Sequence, residues 1–160
     1  MEIYAMPGHL IRRLNQISTG LFLERMNSLG LTLTPVQFAV LSALRLHPGI
    51  DQATVAGLVA YDRATIGKVI DKLENRGLLA RSTARHDRRA KELNLTEAGH
   101  KLYVTAQPHV LAMQPDMLEG LNEEERTIFL RLLEKATLAA NEHSRAPLKL
   151  REPDPLLHRR

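Results

Sequence analysis

The sequence contains no cysteine. That excludes a disulfide framework, a thiol nucleophile, a thiolate zinc site and cysteine-based redox sensing. No apolar run approaches the roughly 18 residues that a membrane span needs. The opening Met1-Glu2-Ile3-Tyr4 lacks the basic stretch and apolar block of a signal peptide. A cytoplasmic protein without membrane contact is the simplest expectation. Enzyme signatures are missing as well: there is no glycine-rich phosphate loop, no Gly-x-Ser-x-Gly elbow, no zinc-protease motif and no carboxylate pair set for acid–base work. The histidines His9, His47, His86, His100, His109, His143 and His158 are scattered, and none pairs at i, i+4 spacing beside a carboxylate cluster. Neither a metal nor a cofactor is therefore expected. No internal repeat or low-complexity segment is visible.

What is present has the size of one domain, with or without an appended helical part. The chain has 160 residues and a mass of 18.0 kDa, 44% of its residues are hydrophobic and 25% are charged. A chain of this size buries roughly two-thirds of its unfolded surface. Charge is unevenly distributed. Residues 1–60 carry a net +1, 61–101 a net +4, 102–144 a net −4 and 145–160 a net +3. A basic middle beside an acidic helical segment suggests a surface for a polyanion, although unevenly solvated charge would read the same way.

Hydrophobic periodicity predicts a helix of about 20 residues from His9 to Leu29, with Leu10, Leu14, Ile17, Leu21, Phe22, Met26 and Leu29 recurring at helical spacing. Its apolar face is long for a lone surface helix. Thr34-Pro35-Val36-Gln37 then supplies a capping threonine, proline at the first helical position and glutamine three residues after the cap. Val40, Leu41 and Leu44 share one face of that helix, and Pro48-Gly49 stops it. Asp51 caps a short helix to about Leu58, with Val55, Leu58 and Val59 facing inward. Asp62 caps the next, whose buried stripe is Ile66, Val69, Ile70 and Leu73, and Gly77 follows Arg76 as its C′ residue. Two short helices joined by so tight a turn form a helix-turn-helix.

After Gly77 the period changes. Leu78 to Ser82 and Glu92 to Leu95 read as strands around a polar, basic tip from Thr83 to Lys91, a wing. Thr96 caps a further helix from Glu97, which Pro108 and Pro115 should each kink or break. Asn122-Glu123-Glu124-Glu125 opens a last helix with an apolar face of Ile128, Phe129, Leu132, Leu133 and Ala136. The expected fold is mainly α with a small β-hairpin wing. Residues 1–32 and 102–146 would form a helical region, 33–101 a winged helix-turn-helix DNA-binding domain and 147–160 a flexible tail.

If Ile66, Val69, Ile70 and Leu73 point inward, then Arg63, Ala64, Gly67, Lys68 and Asp71 point out, with the Thr65 hydroxyl at the margin. Small residues permit close approach to a major groove, while Arg63 and Lys68 reach guanine edges or phosphates. In the wing, Arg81, Arg85, Arg88, Arg89 and Lys91 place five cations in eleven residues against the single acid Asp87. Extended arginines suit a minor groove, and Asp87 suits the orientation of an arginine by a bidentate pair. His86 beside them would touch phosphate or solvent. A protein-interaction module that keeps the winged-helix shape without touching DNA is the competing reading, since fold alone does not settle function.

Three blocks, LTPVQFAVLSAL at 33–44, YDRATIGKVIDKLENRGLLAR at 61–81 and HDRRAKELNLTEAG at 86–99, make the chain resemble the MarR family of winged helix-turn-helix regulators over roughly residues 10–140. The resemblance implies a homodimer in which first and last helices interleave and each lobe sets one recognition helix in the major groove of double-stranded DNA. It implies that Asp87 and Arg89 form the wing salt bridge and minor-groove arginine, and that Arg63, Ala64, Thr65 and Lys68 lie on recognition-helix positions. It further implies a repressor released by a small aromatic acid, a phenol or an aromatic acyl-CoA thioester, bound between the dimerisation helices and the winged lobe. The missing cysteine excludes the thiol-oxidising subgroup. Gly67 and Pro115 depart from the family's usual pattern.

One further cluster draws notice. His9, Arg12 and Arg13 sit in the first turns of a helix, where the dipole disfavours cations by about 0.3–1 kcal/mol. They call for an anionic partner, either a ligand carboxylate or phosphate or acidic side chains such as Glu123 to Glu125 across a dimer.

Overall fold

The computed structural model describes residues 2–83 and 91–148. Its helices are α1 (Pro7–Ser28), α2 (Pro35–Leu46), α3 (Gln52–Leu58), α4 (Arg63–Asn75), α5 (Glu97–Ala112) and α6 (Glu123–Ala139), and the strands β1 (Leu79–Thr83) and β2 (Lys91–Leu95) lie between α4 and α5. Short 3-10 turns stand at Ile3–Ala5, Pro115–Leu118 and Asn141–His143.

Local hydrogen bonding sets the helix starts. At α2 a full capping box forms: the Gln37 N–H donates to Thr34 Oγ1 at 3.3 Å, and the Thr34 N–H donates to Gln37 Oε1 at 3.1 Å. Asp51 accepts from the Thr54 N–H at 2.8 Å to start α3. Asn122 and Glu125 close a second capping box at α6, with Glu123 and Glu124 at the favourable end of the dipole. Pro7 occupies the first turn of α1, where its missing donor costs nothing, so the helix begins two residues before His9.

The core sits under the helix-turn-helix. Val40, Leu41 and Leu44 of α2, Val55 of α3, Ile66, Ile70 and Leu73 of α4, and Leu79 and Leu93 of the hairpin are almost wholly buried, joined by Phe22 and Met26 of α1 and Tyr103 and Ala106 of α5. Phe38 stacks on Tyr103 with ring centroids 5.4 Å apart. Leu58, Val59 and Val69, expected to face inward, are only half-buried.

The hairpin is antiparallel, with Leu79 opposite Leu95, Arg81 opposite Leu93 and Thr83 opposite Lys91. The segment after α2 adds a bridge that the sequence does not announce. The Leu93 N–H donates to the Ile50 carbonyl at 2.9 Å, and the Gly49 N–H to the Leu93 carbonyl at 3.0 Å.

The junction of α4, β1 and α5 is the tightest in the chain. Gly77 adopts φ +68°. The Leu78 N–H reaches back to the Leu73 carbonyl and the Gly77 N–H to that of Glu74, the paired bonds of a left-handed C-cap. The Thr96 hydroxyl donates to the Gly77 carbonyl at 2.6 Å and accepts from the Gly99 N–H at 3.1 Å. A Cβ on Gly99 would stand 1.8 Å from the Leu78 carbonyl oxygen. The Leu-Thr-x-x-Gly run therefore docks the first turn of α5 against backbone.

Pro108 does not break its helix: α5 runs through it to Ala112. Proline removes one backbone donor, and the burial of Tyr103, Ala106 and Val110 on either side holds the helix together. Pro115 does coincide with the end of α-helical structure, opening a 3-10 turn. The apolar face of α6 is uncovered in the single chain: Ile128 and Leu132 are exposed, Phe129 and Leu133 half-buried, and the helix buries no residue. In α1, Leu10 and Ile17 are likewise about half exposed, Phe22 and Met26 are buried in the core, and Leu21 packs against it. Leu148, near the start of the expected tail, is bonded to Asn141. The rest of that tail, 149–160, lies outside the described residues. No helix among the described residues is long and apolar enough to cross a membrane.

Candidate nucleic-acid interface

The recognition helix begins at a double cap. Asp62 Oδ1 accepts from the Thr65 N–H at 2.9 Å, and Oδ2 from the Thr65 hydroxyl at 2.8 Å. Those bonds, the backbone one foremost, hold the Asp62 carboxyl below the usual carboxylate range. The Thr65 hydroxyl proton is thus committed to the cap, leaving its oxygen as an acceptor. Arg63, Ala64 and Lys68 are exposed on the same helix, as the inward stripe requires.

Gly67 has an internal explanation. A Cβ there would lie 3.0 Å from Gln52 Nε2. That amide donates to the Arg63 carbonyl at 3.3 Å. The glycine therefore makes room for a side chain of α3 that bonds the first turn of α4, and close approach to DNA is not needed to account for it. Within the sequence, the mid-helix glycine was the one available signal of that contact.

Arg81 also departs from expectation. Counted among the wing cations, its guanidinium instead turns onto α4, pairing with Asp71 at 2.5 Å and with Glu74, while its backbone N–H donates to Glu74 Oε1 at 3.3 Å. The Asp71 bond is the largest cause raising the arginine's pKa above its ordinary value. Asp71 accordingly is an exposed residue with an intramolecular partner. Lys91 stands at the other edge of the hairpin, exposed, with Nζ 3.0 Å from Thr83 Oγ1 across the strands. Arg85, His86, Asp87, Arg88 and Arg89 lie outside the described residues.

The expected ligand residues lie along the start of α1. His9 is half-buried and edge-on to Tyr4, ring centroids 5.7 Å apart, and its Nε2 is buried with no hydrogen-bond partner among the described residues. Arg12 and Arg13 are exposed along α1. Two cavities, of about 380 and 310 Å³, lie elsewhere. The first is between the end of α2 and the start of α5, around Arg45 and His100. The second is between α1 and Met113, around Arg25 and Asp116. Neither is lined by His9, Arg12 or Arg13. Among the described residues no group of three metal-ligating side chains gathers.

Comparison with known proteins agrees with this architecture. Residues 29–90 match the model of the MarR family. The chain is 34% identical over 134 residues to the HTH-type transcriptional repressor NicR of Pseudomonas putida, covering 84% of each protein. The structure of Bordetella bronchiseptica BpsR, a study of how 6-hydroxynicotinic acid regulates its DNA binding, superposes with a TM-score of 0.79 at 33% identity, over 86% of this chain and 96% of that one. The transcriptional repressor CouR, bound to a 23-mer DNA duplex, superposes with a TM-score of 0.75 at 30% identity, over 85% and 95% of the two chains. The recognition helix with its capped, cation-bearing face and the hairpin stapled beside it are those of a DNA-binding transcriptional regulator, not an enzyme, and the chain belongs to the MarR family.

Proposed function

We propose that two copies of this chain pair through α1, α5 and α6 and repress transcription by holding a pseudo-palindromic operator, from which a small aromatic acid, phenol or aromatic acyl-CoA thioester releases them. The observation that carries the dimer is the uncovered apolar surface: Leu10, Ile11 and Ile17 on α1 and Leu130, Leu132 and Leu138 on α6 are each at least half exposed in a single chain. Large apolar side chains left open on two helices favour an association surface. Residues 1–32 and 102–146 supply this surface, and 33–101 supply the DNA-reading lobe.

In the complex, Arg63 and Lys68 face the major groove with Ala64 and Thr65 allowing close approach, while Arg85, Arg88, Arg89 and Lys91 serve the backbone and minor groove, with Asp87 orienting Arg89. Half-sites then lie about one helical turn apart, near 10 bp. For the effector, His9, whose Nε2 has no partner among the described residues, and the two arginines Arg12 and Arg13 are the candidate acid-binding groups. The reported regulation of BpsR by an aromatic acid supports this class of ligand.

A mobility-shift titration on the upstream intergenic DNA tests the reading. Binding is expected at low salt, with log affinity falling by about 0.9 per phosphate neutralised as log salt rises. Release on adding hydroxylated nicotinic or benzoic acids supports the effector class. Absence of binding to any upstream DNA at low salt ends the proposal.

A further inference from the structure

Beyond α6 the chain folds back onto the helix-turn-helix. Asn141 directs its side-chain amide at the backbone of Leu148: Nδ2 donates to the Leu148 carbonyl at 3.0 Å, and the Leu148 N–H donates to Oδ1 at 2.8 Å. Both polar ends of one asparagine are used, so the loop 141–148 is pinned at its neck. Inside it, the Ala146 N–H donates to Ser144 Oγ at 3.2 Å. The rim of the loop rests on α3, where the Pro147 carbonyl oxygen lies 3.0 Å from the place a Cβ on Gly57 would take. Any side chain at Gly57 would press on a backbone carbonyl that the clasp prevents from retreating. Asn141, Pro147 and Leu148 are half-buried there.

The other end of α6 is tied as well. Arg126 Nε donates to the carbonyls of Leu121 at 2.8 Å and Leu118 at 3.2 Å, gripping the turn that follows α5. Helix α6, which buries none of its own residues, is thus tied at its start to the turn that precedes it, and the loop beyond its finish rests on α3. Because α3 packs on α4 and bonds its first turn through Gln52, a rotation of the DNA-reading lobe must carry loop 141–148 with it or part the Pro147 carbonyl from Gly57.

We infer that Asn141 and Gly57 are positioning residues for operator reading. The loop they hold is a strut between α6 and α3 that sets where each recognition helix stands relative to the dimer axis, and so the spacing between half-sites that the dimer accepts. The inference rests on the proposed dimer and its two half-sites.

Selection from a random-duplex library, with the full chain, Asn141→Ala and Gly57→Val, tests it. The wild-type chain is expected to enrich paired half-sites at one spacing. Both variants are expected to enrich the same half-site sequence with spacings spread over neighbouring registers. On the selected site, inserting one base pair between half-sites should cost the wild-type chain about tenfold in affinity, comparable with one mismatched base pair, and each variant less than half that factor. If Gly57→Val does not fold, Asn141→Ala decides alone. A spacing distribution unchanged in Asn141→Ala, or a change in half-site sequence at constant spacing, overturns the inference. Failure of the wild-type chain to enrich any paired half-sites overturns the dimeric operator reading beneath it.

Discussion

The Arg81 guanidinium lies 2.5 Å from Asp71 Oδ1 and ties the first strand of the wing to the third turn of the recognition helix. Glu74 completes the grip on the same arginine from one turn further along. The wing and the helix that would enter adjacent grooves are therefore joined by charge as well as by the Gly77 turn. Replacing Arg81 by glutamine is expected to lower stability by about 1 kcal/mol, the discounted value for partly exposed pairs. It should weaken operator binding more than that, because the angle between helix and hairpin is no longer held. A double-mutant cycle with Asp71→Asn checks the pairing; additive losses in binding would show that the two residues act separately.

Gly99 is expected to be the least tolerant position at the lobe's junction with α5. Alanine there would place a methyl 1.8 Å from the Leu78 carbonyl oxygen. The helix must withdraw and strain the Thr96 bonds to Gly77 and Leu78. A loss of about 3 kcal/mol is expected, at the upper end for overpacking, read as a shift of the urea midpoint. An unchanged midpoint would mean that α5 docks less closely than described.

Asp62 makes the recognition helix sensitive to acid. Its folded-state pKa is lowered by the Thr65 bonds. The stabilisation is therefore complete above the unfolded value, near pH 4, and is lost as pH falls through the lower folded value. Asp62→Asn keeps an oxygen acceptor for the Thr65 N–H and should flatten that acid limb while retaining the helix; Asp62→Ala should lower the melting temperature at neutral pH as well. Thermal melts between pH 2 and 7 separate the two variants.

Arg63 and Lys68 should separate by the kind of contact each makes. Arg63→Ala is expected to relax base preference within the half-site and to cost about 1–3 kcal/mol on the preferred sequence, whereas Lys68→Ala should weaken all sequences alike and reduce the salt slope by about one. Binding assays on preferred and scrambled duplexes at several salt concentrations check both.

Leu132 and Leu138 stand exposed on α6. Glutamate at both positions is expected to leave the winged lobe folded, because neither residue touches its core, and to convert the proposed dimer to a monomer. Light scattering reads the mass and far-ultraviolet dichroism the helix content. A dimer persisting in the double variant would move the association surface elsewhere.

Much of this architecture was legible because its signals are local. The caps at Thr34, Asp51, Asp62, Thr96 and Asn122 each close a hydrogen bond onto a residue three positions on, so residue types in a short window suffice to place the helix starts. The inward stripe of α4 follows from helical periodicity, and with it the outward face carrying Arg63, Ala64 and Lys68. The family resemblance added the roles of residues whose chemistry alone admits several.

Other features needed the folded chain. Whether Arg81 faces DNA or helix depends on how β1 lies across α4, which brings it to Asp71 and Glu74; both readings are compatible with a basic wing. In sequence, Gly67 is compatible with close approach to DNA or with plain tolerance; in the fold, Gln52 of α3 occupies the space beside it. Ala60 holds φ +55° in the turn before α4, a conformation that costs an L-residue energy and has no marker in an alanine. Pro108 reads as a helix breaker, yet burial of its neighbours outweighs one missing donor. Bonds between near neighbours are written in residue order, while contacts such as Ile50 with Leu93 or Gly57 with Pro147 exist only once packing has chosen which distant segments meet.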